Sequence, residues 1–222
     1  GFVHSIMDGE YEVERLLDFK GKLAIRETCI KSIIADFSSH GHLTATLALA
    51  REHDIKPEQV AEIRITTSKR CAEHTGDPVK KYPKNKETAD HSSYYLTAIA
   101  IVDRQIGPNQ FTPEKYNDPR VIKLIGKVTL TGDPSLDKAR PAGISEIITK
   151  EGKTYRLRVD HPRGHARNPM TDQEVIAKFK DMASVRMTES QINRLIENVF
   201  ALDKQDDVGA LLKLMVFEKN QS

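Results

Sequence analysis

The 222-residue chain is poor in cysteine, with Cys29 and Cys71 alone. Two cysteines outside any C-x-x-C pair exclude a disulfide framework and a cysteine zinc site, and they fit a reducing compartment, so a cytoplasmic protein is expected. No apolar run is long enough to cross a bilayer and no secretory pattern opens the chain, so no membrane partner is expected. An excess of one charge is missing too: 34 Lys and Arg are interspersed with 32 Asp and Glu, for a formal charge of +2. Without a one-sided basic stripe, no nucleic-acid partner is expected. GxGxxG, Walker and GxSxG motifs are absent, and neither cysteine has the surroundings of an activated nucleophile. What is present, 38% hydrophobic against 30% charged residues, describes a globular chain able to bury a proper core. It opens on Gly1 and reaches its first Met at Met7, as a trimmed tag or a piece of a longer polypeptide would.

The organising stretch is Glu87 to Ile106, ETADHSSYYLTAIAIVDRQI. Tyr95, Ala98, Ile99, Val102 and Ile106 recur at helical spacing, with Asp90 or Thr88 as the cap and Gly107-Pro108 as the stop. Ahead of it, residues 1–21 read as helical, Leu23–Thr28 and Ile30–Ile34 as short extended pieces, and His42–His53 as a second helix. Ala61, Ile63, Ile65 and Thr67 alternate with Glu62, Arg64 and Thr66, a half-buried strand. Beyond it, Thr112-Pro113 and Asp118-Pro119 start helices, Val128–Thr131 reads as a strand, and Ile144–Thr149 and Tyr155–Asp160 flank a Lys-Glu-Gly-Lys hairpin turn. From Pro169 onward the pattern is helical and carries more apolar surface than a small sheet needs. The expected class is α+β: a small antiparallel sheet covered by helices, with helical segments at both termini.

Three settings hold candidate chemistry. In IKSIIADFSSHGHLTA, Lys31 precedes His40 and His42 at a helix start, where amide hydrogens favour an anion and an imidazole can move a proton. The same two histidines suggest a metal-dependent hydrolase, but no third or fourth donor is visible, so no metal is expected. Asp90-His91 reads first as a helix cap and a first-turn residue. In HPRGHARNP, Arg163, His165 and Arg167 either line an anion site or coat a loop.

Four ordered segments are similar to the C-terminal half of the MmgE/PrpD family, the 2-methylcitrate dehydratases and their relatives: Lys31 through His40 to Ala45, ETADHSSYYLTAIAI, DPRVIKLIGKVTLTGDPSL and HPRGHARNPMTDQEVIAKF. The resemblance runs from about residue 23 to residue 214. It implies a large helical domain, a smaller α+β lid, and a chain that returns to the helical domain. On this division residues 1–21 are a helical stub, 22–168 the lid and 169–222 the returning helices.

The resemblance also implies a hydro-lyase like 2-methylcitrate dehydratase, acting on a small polycarboxylate by proton abstraction and loss of water, without an iron–sulfur cluster or other cofactor. It carries the family's active-site histidine onto His40, with His42 as the fallback, and leaves Lys31, His42, Arg163 and His165 to hold substrate. Ser32-Ile33-Ile34 departs from the family's Pro-aromatic-Pro after the lysine, and the N-terminal helical half that supplies most catalytic groups is absent. The chain alone is therefore expected to be inactive and to associate, with that half or as a homo-oligomer. The alternative is a non-catalytic subunit of the same fold that binds small anions or serves assembly.

Overall fold

Alternation in Val60–Ser68 does what period-two patterning dictates: Ile63, Ile65 and Thr67 are buried while Arg64 is exposed. The pattern slips at Ala61, which is exposed because the register shifts between Val60 and Glu62. The computed structural model describes residues 24–139 and 141–216, so the helical stub expected over 1–21 lies outside the described residues. Val60–Ser68 is β1, and it runs inside a four-stranded sheet with β2 (Val128–Asp133), β3 (Gly143–Thr149) and β4 (Thr154–Val159) in the order β2-β1-β3-β4.

The expected antiparallel pairing holds for β1 with β3 and for β3 with β4, but β2 is parallel to β1. The cause is the connection. Between Ser68 and Val128 the chain crosses over through several helices, and a crossover returns the chain to the end of the sheet from which β1 started. The β3–β4 turn is the predicted one, with Gly152 at φ 81°. Val128, Ile63, Ile147 and Tyr155 stand in register across one face. The opposite face carries Arg64, which bonds Glu62 at 2.8 Å and Glu146 at 3.1 Å across the strands. Such exposed pairs add little stability, but they keep that face in water.

The first helix, α1 (His40–Glu52), lies over β3 and β4. The crossover then carries α2 (Lys69–Thr75), α3 (Lys86–Ala89), α4 (Ser93–Val102), α5 (Pro113–Tyr116) and α6 (Pro119–Ile125). The single helix read over residues 87–106 is in fact α3 and α4, separated at Asp90-His91. Neither Asp90 nor Thr88 caps α4; Ser92 does, accepting from the Tyr95 amide at 3.2 Å. The Asp90 carboxylate is already engaged, by His91 on one oxygen and Lys86 on the other. Tyr95 through Ile101 have no exposed surface. A helix buried on every side belongs between layers, and α4 packs on α1, α6 and β2.

The two short extended pieces expected before α1 are not strands. Ala24–Glu27 is a 3₁₀ turn and residues 32–35 bend, with one inter-segment backbone bond, Ile30 N–H to Gly164 O at 2.8 Å, in place of a ladder. After β4 the chain is helical as predicted: α7 (Asp172–Ala183), α8 (Glu189–Phe200) and α9 (Val208–Lys213). Thr171 and Glu174 close α7 with a reciprocal capping box. No helix is long and apolar enough to cross a membrane among the described residues.

Candidate functional site

Lys31 and Lys178, distant in sequence, meet at one open pocket of about 180 Å³ that Asp90 and His91 also line. Each arrives by a traceable route. Lys31 sits on the irregular segment that Gly164 allows to lie close: at φ 90°, and with the Ile30 carbonyl 1.9 Å from where a Cβ would stand, residue 164 has no room for a side chain. Lys178 projects from α7, and its ammonium donates to the Lys31 carbonyl. Burial pulls the Lys178 pKa down, and the neighbouring charge of Lys31 pulls the same way. Two lysines lining one pocket favour an anion there.

Asp90 and His91 occupy the break between α3 and α4. The His91 Nδ1 lies 2.5 Å from Asp90 Oδ1 and 3.2 Å from the Glu87 carbonyl. Both partners accept hydrogen bonds, so Nδ1 carries the proton and Nε2 is left with the lone pair. An imidazole oriented by a carboxylate in this way is suited to moving a proton.

A buried hydroxyl cluster ties the segments on which these residues stand. Ser39 at the head of α1, Thr75 at the end of α2 and Ser93 at the start of α4 exchange bonds of 2.7 to 3.3 Å, with the Cys71 thiol 3.4 Å from Thr75. Three polar side chains with no exposed surface satisfy one another, and in doing so they fix Asp36, His74 and His91, the neighbours of those three elements. Burial pushes the Asp36 carboxyl up, but the two hydrogen bonds from Ser38 and the rings of His74 and His91 outweigh it and hold its pKa below the ordinary value.

The predicted residues divide. Lys31 is exposed and lines the pocket. His40, expected to face an anion and move a proton, has no exposed surface; it lies against Phe37, and neither ring nitrogen has a hydrogen-bond partner. The expected helix start is there, since α1 begins at His40 after the 3₁₀ turn Phe37–Ser39, but the ring is turned inward. Burial, and after it the charge of Lys31, lowers the His40 pKa to about 4. His42 is buried equally and without partners, its pKa lowered to about 3 by burial and by His40. Gly41 between them sits against the backbone of Pro141 and Gly143, where a Cβ would meet the Pro141 oxygen at 2.1 Å.

Arg163 does not reach the pocket. It is spent on Glu174 at 2.8 and 3.0 Å and on Asn168 at 2.9 Å, pinning the 161–168 loop to the start of α7 and pushing the Glu174 pKa down to about 2. His165 lines a different cavity, of about 720 Å³, with His161, Arg26, Lys138 and Arg167. Sequence reasoning left out Lys178, Asp36 and His74, and it read Asp90-His91 as a cap. The usable signal was the Asp-His pair between a four-residue helix and an apolar helix.

Residues 35–202 match the MmgE/PrpD C-terminal domain. Among curated proteins, the chain is 27% identical over 197 residues to cis-aconitate decarboxylase of Mus musculus, an alignment covering 86% of this chain and 40% of the relative. It is 24% identical over 161 residues to cis-aconitate decarboxylase of Aspergillus terreus, covering 70% and 33%. To the mitochondrial 2-methylcitrate dehydratase of Yarrowia lipolytica it is 27% identical over 162 residues, covering 68% and 30%. The chain thus spans well under half the length of these relatives.

Proposed function

This chain belongs to the MmgE/PrpD family, and from that premise we propose that it is the lid half of a lyase acting on a small tricarboxylate. The observation that carries the reading is the meeting of Lys31 and Lys178 over the Asp90–His91 pair. Tricarboxylates need fixed cations, and Lys31 and Lys178 supply two from one wall of a pocket. Decarboxylation and dehydration also share a need to move a proton at carbon. In dehydration a base takes the proton beside a carboxylate and the hydroxyl leaves as water; in decarboxylation a carbon–carbon bond breaks, carbon dioxide leaves, and the skeleton takes up a proton. His91 Nε2 is the group placed for that transfer, a role that the family resemblance gave to His40. Of the two chemistries, the notion of water loss rests on the 2-methylcitrate dehydratase likeness, and carbon dioxide loss on the decarboxylase likenesses.

The reading extends to partners. A single wall cannot exclude water or supply an acid and a base together, so the chain by itself binds the tricarboxylate without turning it over. The exposed apolar face of α7–α9 is where a helical partner, or a second copy of this chain, is proposed to dock, in the cytoplasm. No cofactor enters the proposed reaction.

Titration calorimetry with cis-aconitate and 2-methylcitrate tests the site. We expect saturable binding, weakened about tenfold or more by Lys31→Met and again by Lys178→Met. Binding that survives both substitutions refutes the pocket. Binding with no turnover, even beside the N-terminal half of a family member, favours the second reading, a non-catalytic anion-binding subunit, for which the two lysines at one pocket suffice.

A further inference from the structure

The geometry points to a divalent-cation site on Asp36, His74 and His91, whose donor atoms all lie within 4.8 Å of one another. The three residues come from separate parts of the chain: the segment before α1, the sixth position of α2, and the break between α3 and α4. No sequence spacing announces them. They are gathered by the hydroxyl cluster of Ser39, Thr75 and Ser93, which holds the three backbones together from below.

Each donor is in a state that suits a metal. The carbonyl of Glu87 and the carboxylate of Asp90 keep the proton on His91 Nδ1, so the free lone pair is on Nε2. A carboxylate behind a ligating imidazole is the usual outer partner in metal sites, where it fixes the ring and raises its basicity. Lys86, 3.0 Å from the other Asp90 oxygen, fixes that carboxylate in turn. On Asp36, Oδ1 accepts from the Ser38 amide at 2.9 Å and from the Ser38 hydroxyl, which leaves Oδ2 for a ligand. His74 is exposed, and its ring stands edge-on to that of His91 at 5.8 Å between centroids.

Bond lengths of about 2.0–2.2 Å place tetrahedral donors roughly 3.4 Å apart, so the cluster must close by about an ångström. His74 has the rotational freedom to do it, since its ring is in solvent. Two imidazoles and one carboxylate select a borderline ion such as Zn²⁺, Co²⁺ or Ni²⁺ over Mg²⁺ or Ca²⁺, which prefer an all-oxygen shell. Three protein donors leave one position open. His91 also lines the Lys31–Lys178 pocket, so that position borders it. If His91 moves protons as proposed above, ion and proton compete for Nε2, and the metal inhibits; this clause rests on the proposed function, while the binding site does not.

The test is Zn²⁺ calorimetry and Co²⁺ absorption on tag-free protein. We expect one ion per chain, with the intense visible bands of four-coordinate Co²⁺. His74→Ala weakens Zn²⁺ binding at least tenfold while the metal-free melting temperature is unchanged, because the side chain is exposed. Asp36→Asn, which can still cap the following turn, does the same, and Asp90→Asn weakens binding about tenfold through the ring of His91. His165→Ala leaves it unchanged. Absence of saturable binding, equal affinity in the His74→Ala protein, or loss of binding in the His165→Ala protein overturns the site.

Discussion

The sheet with its covering helices and the C-terminal helices α7–α9 are both rich in leucine, isoleucine and valine, yet they use them differently. In the first region Ile63, Ile147, Leu96 and Ile99 have no exposed surface. In the second, Ile192, Leu195 and Leu211 are buried, but Phe200 is 55% and Leu212 58% exposed, and Val175, Phe179, Val199 and Met215 line an apolar groove that no described residue fills. One region has completed its core and the other presents half of one. The candidate pocket lies where Lys31, on the segment leading into α1, meets Lys178 of α7.

The difference can be broken directly. Ile147→Ala, in the completed core, should cost about 2–5 kcal/mol in urea unfolding. Phe200→Ala should cost less than about 1 kcal/mol, because its ring is already half in water. Equal costs would mean that the C-terminal helices are as fully packed as the sheet.

Acid should also act on the first region first. His40 and His42 are buried neutral, with folded pKa values of about 4 and about 3 against 6.5 when unfolded. The unfolded chain therefore binds more protons in this window. The stabilising contribution is complete above pH 6.5 and is lost as pH falls toward 4, at roughly 1.4 kcal/mol per pH unit for each histidine. Urea midpoints measured from pH 7 to pH 4.5 should show a shallower decline in His40→Gln. An identical decline would place the titrating groups elsewhere.

The smallest effect sharpens the contrast from the other side. The open groove should drive weak self-association at roughly tens of micromolar, visible by sedimentation and diminished by Phe200→Asp. A monomer unaffected by concentration would leave that face without a partner.

Much of the fold was legible because local chemistry and tertiary packing agree. The Ile63-Ile65-Thr67 alternation, the hairpin around Gly152 and the Asp118-Pro119 helix start each required no distant information. The sequence misled where two local signals competed. Asp90 and Ser92 are both good caps, and the choice fell to Ser92 because His91 and Lys86 occupy Asp90. Residues 24–34 include strand-like Ile30, Ile33 and Ile34, but no described strand offers them a ladder. The site was less legible for a plainer reason. Lys31 stands in a motif, whereas Lys178 and His74 acquire meaning only when α7 and α2 fold beside it. His40 shows the opposite error: its sequence setting is polar, but a helix start aimed at the core buries it.

The central claim is that His91, not His40, is the proton-moving histidine of this half. The most direct measurement is kcat of the chain joined to the N-terminal half of a family member, with His91→Asn compared against His40→Gln. The account predicts that His91→Asn lowers kcat about 100-fold or more. His40→Gln should lower stability while leaving kcat of the folded fraction within a few-fold. A rate abolished by His40→Gln and untouched by His91→Asn would contradict it, and would return the role to the buried histidine.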